Sequence, residues 1–162
     1  MTAWVQLFIR YLPDFLKGAA ITLQLTFGGL GIGFLLGTGL ALGKSYGSKP
    51  IQLISNVYVE VYRGTPLVVQ LFLIYYGLPS LGWTLNQTTA AFVALGLNSA
   101  AYQAEYLRGA IIGVGESQMQ AGRSIGLTRW QTIFDIILPQ ALRRALPAWS
   151  NEPISLLKTT GV

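Results

Sequence analysis

Four long apolar runs separated by short polar gaps set the plan of this chain. The first, Gly18 to Gly43, carries no charged side chain. The second starts at Ile51 and passes Glu60 and Arg63 before ending near Tyr76. The third spans Thr88 to about Ile112, and the fourth, Ile136 to Leu157, is interrupted by Pro139, Arg143, Arg144, Pro147 and Glu152. After Arg63 no Asp, Glu, Lys or Arg appears until Glu105. A stretch of that length without charge has little reason to exist in water, and it suffices to cross a bilayer, turn and start back, one crossing needing about 20 apolar residues. The pattern predicts an all-α membrane protein with about four transmembrane helices. Residues 1–17 mix Trp4, Phe8, Tyr11 and Phe15 with Arg10, Asp14 and Lys17. They are expected to form an interfacial helix broken at Pro13, ahead of a single transmembrane domain over 18–162. A cleaved signal peptide fits poorly, because the apolar run begins after Asp14 and no small-x-small site ends it.

The lysines and arginines sit in the gaps. The positive-inside rule places the loop with Lys44 and Lys49 in the cytoplasm, together with the stretch holding Arg108, Arg123, Arg129, Arg143 and Arg144. The loop from Gly77 to Gln87 has no Lys or Arg and falls outside. Alternation then puts the N-terminus outside and makes the chain a multi-pass protein of the cell membrane. Composition agrees: 52% hydrophobic and 10% charged residues, against roughly 25% charged in soluble domains. The net charge of +5 therefore reads as a topology signal and not as a nucleic-acid surface. Nineteen glycines suit close helix packing, and Gly29/Gly33, Gly33/Gly37 and Gly39/Gly43 are small-xxx-small pairs. The absence of Cys and His removes thiolate and imidazole chemistry and the usual zinc site. No Gly-x-x-x-x-Gly-Lys-Ser/Thr phosphate loop is present.

Residues 113–135 form the polar stretch between the third and fourth runs. Ser117-Gln118-Met119-Gln120 fits a capping box, with a short helix ending near Ile125 and Gly126 as its left-handed cap. Thr128-Arg129-Trp130-Gln131 repeats the box and starts a second helix, with Trp130, Ile133, Phe134 and Ile137 at helical spacing before Pro139. Two capped helices with an apolar stripe predict a hairpin that docks to a partner.

This stretch resembles the permease signature of bacterial ABC importers: Glu-Ala-Ala, three residues, Gly, nine residues, Ile-x-Leu-Pro. Here it reads Gln120-Ala121-Gly122, then Gly126, then Ile136-Ile137-Leu138-Pro139. Arg63-Gly64-Thr65-Pro66 with Gln70, Phe72, Tyr75, Tyr76 and Gly77 is similar to the polar amino-acid branch of that family. So are Ala104-Glu105-Tyr106-Leu107-Arg108-Gly109 and Asn151-Glu152 with Ile154, Leu156, Leu157 and Lys158. The likeness runs from about Phe15 to Lys158. This chain departs from the pattern in having Gln120 for Glu, Gly122 for the second Ala, and Thr159 where Asp usually follows the lysine. The family also continues into a further spanning helix that this sequence does not reach.

The resemblance implies a type I importer permease fold. It implies a second permease subunit, identical or similar, and two ATPase subunits that bind ATP-Mg. It also implies an extracytoplasmic binding protein that delivers a polar amino acid. The permease itself would carry no cofactor and catalyse no reaction. Gln120, Ala121, Gly122, Gly126 and Leu127 would contact the ATPase. A passive channel and a non-transporting scaffold or receptor subunit are the competing readings; neither a filter-like repeat nor a run of acidic residues favours the channel.

Polar residues at membrane depth are costly and normally face a cavity or a partner. Gly64, Thr65 and Pro66 are expected to break the second run and line the path, Pro66 lacking an amide donor and disfavouring helix at Thr65. Asn98 and Glu152 are expected to face the same cavity. An interhelical hydrogen bond is the alternative for Asn98, and a pairing with Arg143 or Arg144 for Glu152. Glu60 and Arg63, three residues apart, suggest an ion pair bracing the break. Glu105 and Arg108 look structural.

Overall fold

The computed structural model describes residues 3–160, and every described element is helical. Helix α1 runs unbroken over Ala3–Tyr46, with Pro13 inside it. The expected break at Pro13 is thus corrected: the ring removes one backbone hydrogen bond near the helix start, and the long run beyond carries the helix through. Only Gly47 and Ser48 separate α1 from α2, Lys49–Gly64. After Thr65 and Pro66 the chain resumes as α3, Leu67–Phe72, which widens into a π-turn at Leu73–Gly77 and tightens into a 3₁₀ turn at Leu78–Leu81. The second apolar run is therefore bent by 107° at its break and is not one straight rod.

Helix α4, Gln87–Val114, is capped by Asn86, whose side chain accepts from the Thr89 amide at 2.8 Å. Helix α5, Glu116–Ser124, follows after a single residue, Gly115. The last part of the chain folds as a nearly continuous rod. A short α6, Arg129–Gln131, passes through a π-turn at Thr132–Ile137 into α7, Leu138–Trp149. Pro139 does not stop it. The amide that Pro139 lacks would have bonded the Asp135 carbonyl, and the wide turn lies at that place, as expected where a helix absorbs a missing donor. The rod does end at Ser150–Asn151, before α8, Glu152–Thr160. The fourth apolar run is thus two helices.

Helix α4 is the centre. It packs along α1 and also meets α2, α3, α7 and α8. Its inward positions are small: Ala90, Ala94, Gly96, Ser99, Ala100, Ala101 and Ala104 are buried. The facing ridge of α1 is Gly29, Gly33 and Gly37. A methyl added to Gly33 would stand 2.7 Å from the Ser99 hydroxyl, and one added to Gly37 2.9 Å from the Ala100 carbonyl. The predicted small-residue face is therefore real at these three positions. Gly39 faces open space, and Gly43 instead lies under Ser55 of α2. A second apolar cluster, Ala41, Leu107, Ile111, Val114, Ile137, Ala141 and Ala145, binds the ends of α1 and α4 to the rod.

Among the described residues, Leu7–Tyr46 alone is a single helix long and apolar enough to cross a membrane; the bent pair Lys49–Gly64 and Leu67–Leu81 passes only when taken together. Helix α4 is less apolar because Asn98, Ser99 and Gln103 lie on it, yet all three are buried. Its polarity is turned into the protein.

Candidate functional site

The break in the second run creates a specific shortage of hydrogen bonds. In a continuous helix the Tyr62 carbonyl would accept from residue 66, and Pro66 has no N–H. Gln70 repairs this. Its amide nitrogen lies 2.8 Å from the Tyr62 carbonyl, 2.9 Å from the Thr65 carbonyl and 2.8 Å from the Thr65 hydroxyl oxygen. The Thr65 hydroxyl in turn donates to the Val61 carbonyl at 2.8 Å. The break is thus braced by Gln70, and not by the expected ion pair: no salt bridge joins Glu60 to Arg63 among the described residues. Arg63 instead places its guanidinium over the Tyr102 ring, 5.4 Å from the centroid.

Gln70 also reaches across to α4, where its amide oxygen accepts from Asn98 Nδ2 at 3.1 Å. The interhelical bond weighed for Asn98 is therefore present. The next residue, Ser99, donates to Glu152 Oε1 at 3.0 Å, and one turn on Gln103 donates to Ser99 at 2.9 Å and to the Leu30 carbonyl at 3.1 Å. Glu152 is 4% exposed. Neither Arg143 nor Arg144 pairs with it; Arg144 bonds the Gly113 carbonyl instead. Among the described residues no cation neutralises Glu152. A buried carboxylate that accepts from Ser99, with the Tyr106 hydroxyl beside it, and that lacks a counter-ion has capacity left for a cationic donor.

Gly64, Thr65, Pro66, Asn98 and Glu152, spread over 89 positions of the sequence, line one cavity of about 380 Å³. Arg63, Tyr102 and Thr159 line it too. The freed backbone groups, expected to face a ligand, are occupied by Gln70. What the cavity offers is the remaining capacity of Asn98 and Glu152. Gln70 and Ser99 are the site residues that pattern reading missed as structural partners. The one available sign was a lone glutamine four residues after Pro66 in an apolar run.

At the opposite end lies the hairpin of α5 and α6. Its first cap differs from expectation. Helix α5 starts at Glu116, its cap is Gly115 at φ 85°, and no side-chain bond caps it; Ser117 lies inside the helix. The glycine, and not the serine, makes the turn, since a left-handed bend directly after α4 needs a residue without Cβ. The second box is present in both halves, with the Thr128 hydroxyl accepting from the Gln131 amide and the Gln131 side chain accepting from the Thr128 amide. Gly126 has φ 90°. Its amide donates to Arg123 and that of Leu127 to Gly122, both at 3.1 Å, the paired bonds of a Schellman cap. Gly122 is buried against Thr132, and a methyl there would meet Thr132 Oγ1 at 2.7 Å. Gln120, Ala121 and Gly126 are exposed, and Leu127 is half-buried. The apolar stripe splits: Ile133 and Ile137 are buried, while Trp130 and Phe134 stack outward with centroids 6.0 Å apart.

The comparisons with known proteins agree with this architecture. Residues 29–161 match the family described as binding-protein-dependent transport system inner membrane component. The chain belongs to that family. It is similar to the arginine transport system permease protein ArtQ of Bacillus subtilis (strain 168), 41% identical over 95% of this chain and 71% of that one. It is also similar to the glutamine transport system permease protein GlnP of Escherichia coli (strain K12), 38% identical over 93% of this chain and 70% of that one. The crystal structure of an amino acid ABC transporter with histidines superposes with a TM-score of 0.86, at 43% identity, covering 99% of this chain and 75% of that one. A methionine ABC transporter in inward-facing form, 21% identical with a TM-score of 0.71, shows the same fold. The binding-protein-dependent permease is thus a type I importer subunit by fold and an inner-membrane component by family.

Proposed function

We propose that this permease imports a polar amino acid, released to it by an extracytoplasmic binding protein, through a path that includes the Glu152–Asn98 cavity. It works as a multi-pass protein with its N-terminus outside, paired with a second permease subunit, identical or similar. Two cytoplasmic ATPase subunits bind ATP-Mg and drive it through the α5–α6 hairpin, where Gln120, Ala121, Gly122, Gly126 and Leu127 form or support the contact. The permease hydrolyses nothing. No nucleic acid enters the cycle.

The observation that carries this reading is the cavity itself. Five residues picked for their polarity or helix-breaking chemistry converge on one space, and one of them, Glu152, is a buried carboxylate without a counter-ion among the described residues. Glu152 suits an ammonium or guanidinium, and Asn98 suits the shared amino-acid backbone. Support for the substrate class comes from the names of the relatives, which are arginine and glutamine permeases.

The test is uptake by proteoliposomes holding the whole complex, with a panel of cationic, neutral and acidic amino acids presented by the binding protein. ATP-dependent, binding-protein-dependent uptake of a polar amino acid is expected. ATP-independent uptake at the same rate would replace this reading with a channel, and no uptake with a scaffold.

A further inference from the structure

Resting on the importer reading, we infer that Lys44, Glu105 and Arg108 form an ion-bonded gate on the cytoplasmic exit from the Glu152 cavity. Three cavities lie end to end and share walls. The Glu152 cavity shares Arg63 and Gly64 with a middle cavity of about 710 Å³ between α2 and α4. The middle cavity shares Lys44 and Arg108 with a third, of about 620 Å³, which reaches Gly115, Glu116 and Arg129 at the hairpin. The chain of spaces thus leads from the candidate substrate position to the coupling hairpin.

The wall between the second and third spaces is a closed triad. Lys44, at the end of α1, bonds one oxygen of Glu105. Arg108 takes the other through Nη2 at 3.0 Å and Nε at 3.2 Å. Lys44 is 10% exposed and Glu105 17%. Both carboxylate oxygens are engaged, and the link ties α1 to α4, so separation of these helices requires the bond to open. Each space along the route also carries a carboxylate: Glu152, then Glu60 and Glu105, then Glu116. An ammonium or guanidinium moving down that series competes with Lys44 for the same Glu105 oxygen. Exchange of one cation for another opens the bar while the Glu105 carboxylate stays paired, an unpaired carboxylate being costly in a partly buried site, and leaves the Lys44 ammonium to the two spaces it lines.

The experiment measures ATP-independent flux of labelled arginine across proteoliposomes containing the complete complex. Equilibrium arginine binding to the same complex is measured in parallel. Glu105→Gln removes the charge on which both cations converge and is expected to raise the leak by about fivefold or more. Binding is expected to hold within about twofold, since Glu105 does not line the Glu152 cavity. Lys44→Met should leak about as much, because the Arg108–Glu105 pair that remains lies within α4 and does not hold α1. Lys44→Arg keeps the charge and should stay as tight as the parent. A purely structural role predicts lower uptake and lower binding with no added leak in Glu105→Gln and Lys44→Met, and that result overturns the gate. So does a leak in Lys44→Arg equal to that of Lys44→Met. Failure of the importer reading looks different: the unsubstituted complex itself shows no ATP-driven uptake.

Discussion

Gly126 offers the sharpest test of the hairpin, because its surroundings isolate one cause. The residue has φ 90°, and a Cβ built on it meets nothing within 4 Å. Any cost of substitution is therefore conformational and not a clash. A non-glycine residue in the left-handed region costs roughly 1–2 kcal/mol, less for Asn and more for a β-branched side chain. If the chain relaxes to avoid that strain, it loses the two 3.1 Å bonds from Gly126 and Leu127 that close α5, each contributing about 1 kcal/mol. With about 1.4 kcal/mol per factor of ten, the populations of the correctly formed hairpin should fall in the order Gly, Asn, Ala, Val. Gly126→Asn is expected to keep uptake within about threefold, Gly126→Ala to lose roughly five- to tenfold, and Gly126→Val more than about tenfold. Amounts of protein in the membrane should not change, since the turn lies outside the apolar clusters. Co-purification of the ATPase and ATP-driven uptake, measured across the series, check the order. Wild-type values in Gly126→Val would refute the docking role, and equal losses in Asn and Val variants would refute the left-handed cause.

Three other expectations follow from the site and the hairpin. Glu152→Gln keeps an oxygen for Ser99 but removes the charge, so cationic amino acids should lose about 1–3 kcal/mol of affinity while neutral ones change little; Asn98→Ala should weaken both classes, and uptake affinities for each class decide. Cysteines placed at 64 and 65 should react with small polar thiol reagents and be protected by substrate, whereas inertness in every transport state would remove the break from the path. Gly122→Ala should destabilise hairpin packing by about 1–3 kcal/mol through overpacking on Thr132; thermal unfolding of Gly122→Ala, Thr132→Ala and the pair should show a coupling that recovers a large part of that loss.

Elements carried by strong local chemistry were legible in the sequence. Thr128 caps its helix, Gly126 closes α5, and Pro66 breaks the second run. Spacing alone also marked Gly29, Gly33 and Gly37 as a contact face. What was not legible depended on long-range partners. Ser117 has the sequence of a cap, but α4 ends so close by that Gly115 makes the turn first. Lys44 looked like a topology signal until α1 set it beside Glu105, 61 residues away. Glu60 and Arg63 had the spacing of an ion pair, yet Tyr102 from α4 offers Arg63 another partner. Pro13 and Pro139 failed as helix stops: α1 gives up one backbone bond and runs on, and a π-turn absorbs the donor missing at Pro139.

The glycines of α1 and the polar residues of α4 solve a single problem. A buried Glu152 needs a donor, and Ser99 supplies it. Ser99 is itself 0% exposed and is held by Gln103, which also bonds the Leu30 carbonyl of α1. That arrangement requires the two helix backbones to approach until no Cβ fits at Gly33, whose would-be methyl meets Ser99 and Gln103. Small residues at a membrane-helix interface usually serve packing. Here the same close approach also brings a backbone carbonyl to the side chain that orients the carboxylate's hydroxyl partner. A helix less apolar than α1 can therefore be the most buried, because its polar atoms are satisfied inside the protein and the site is built from them.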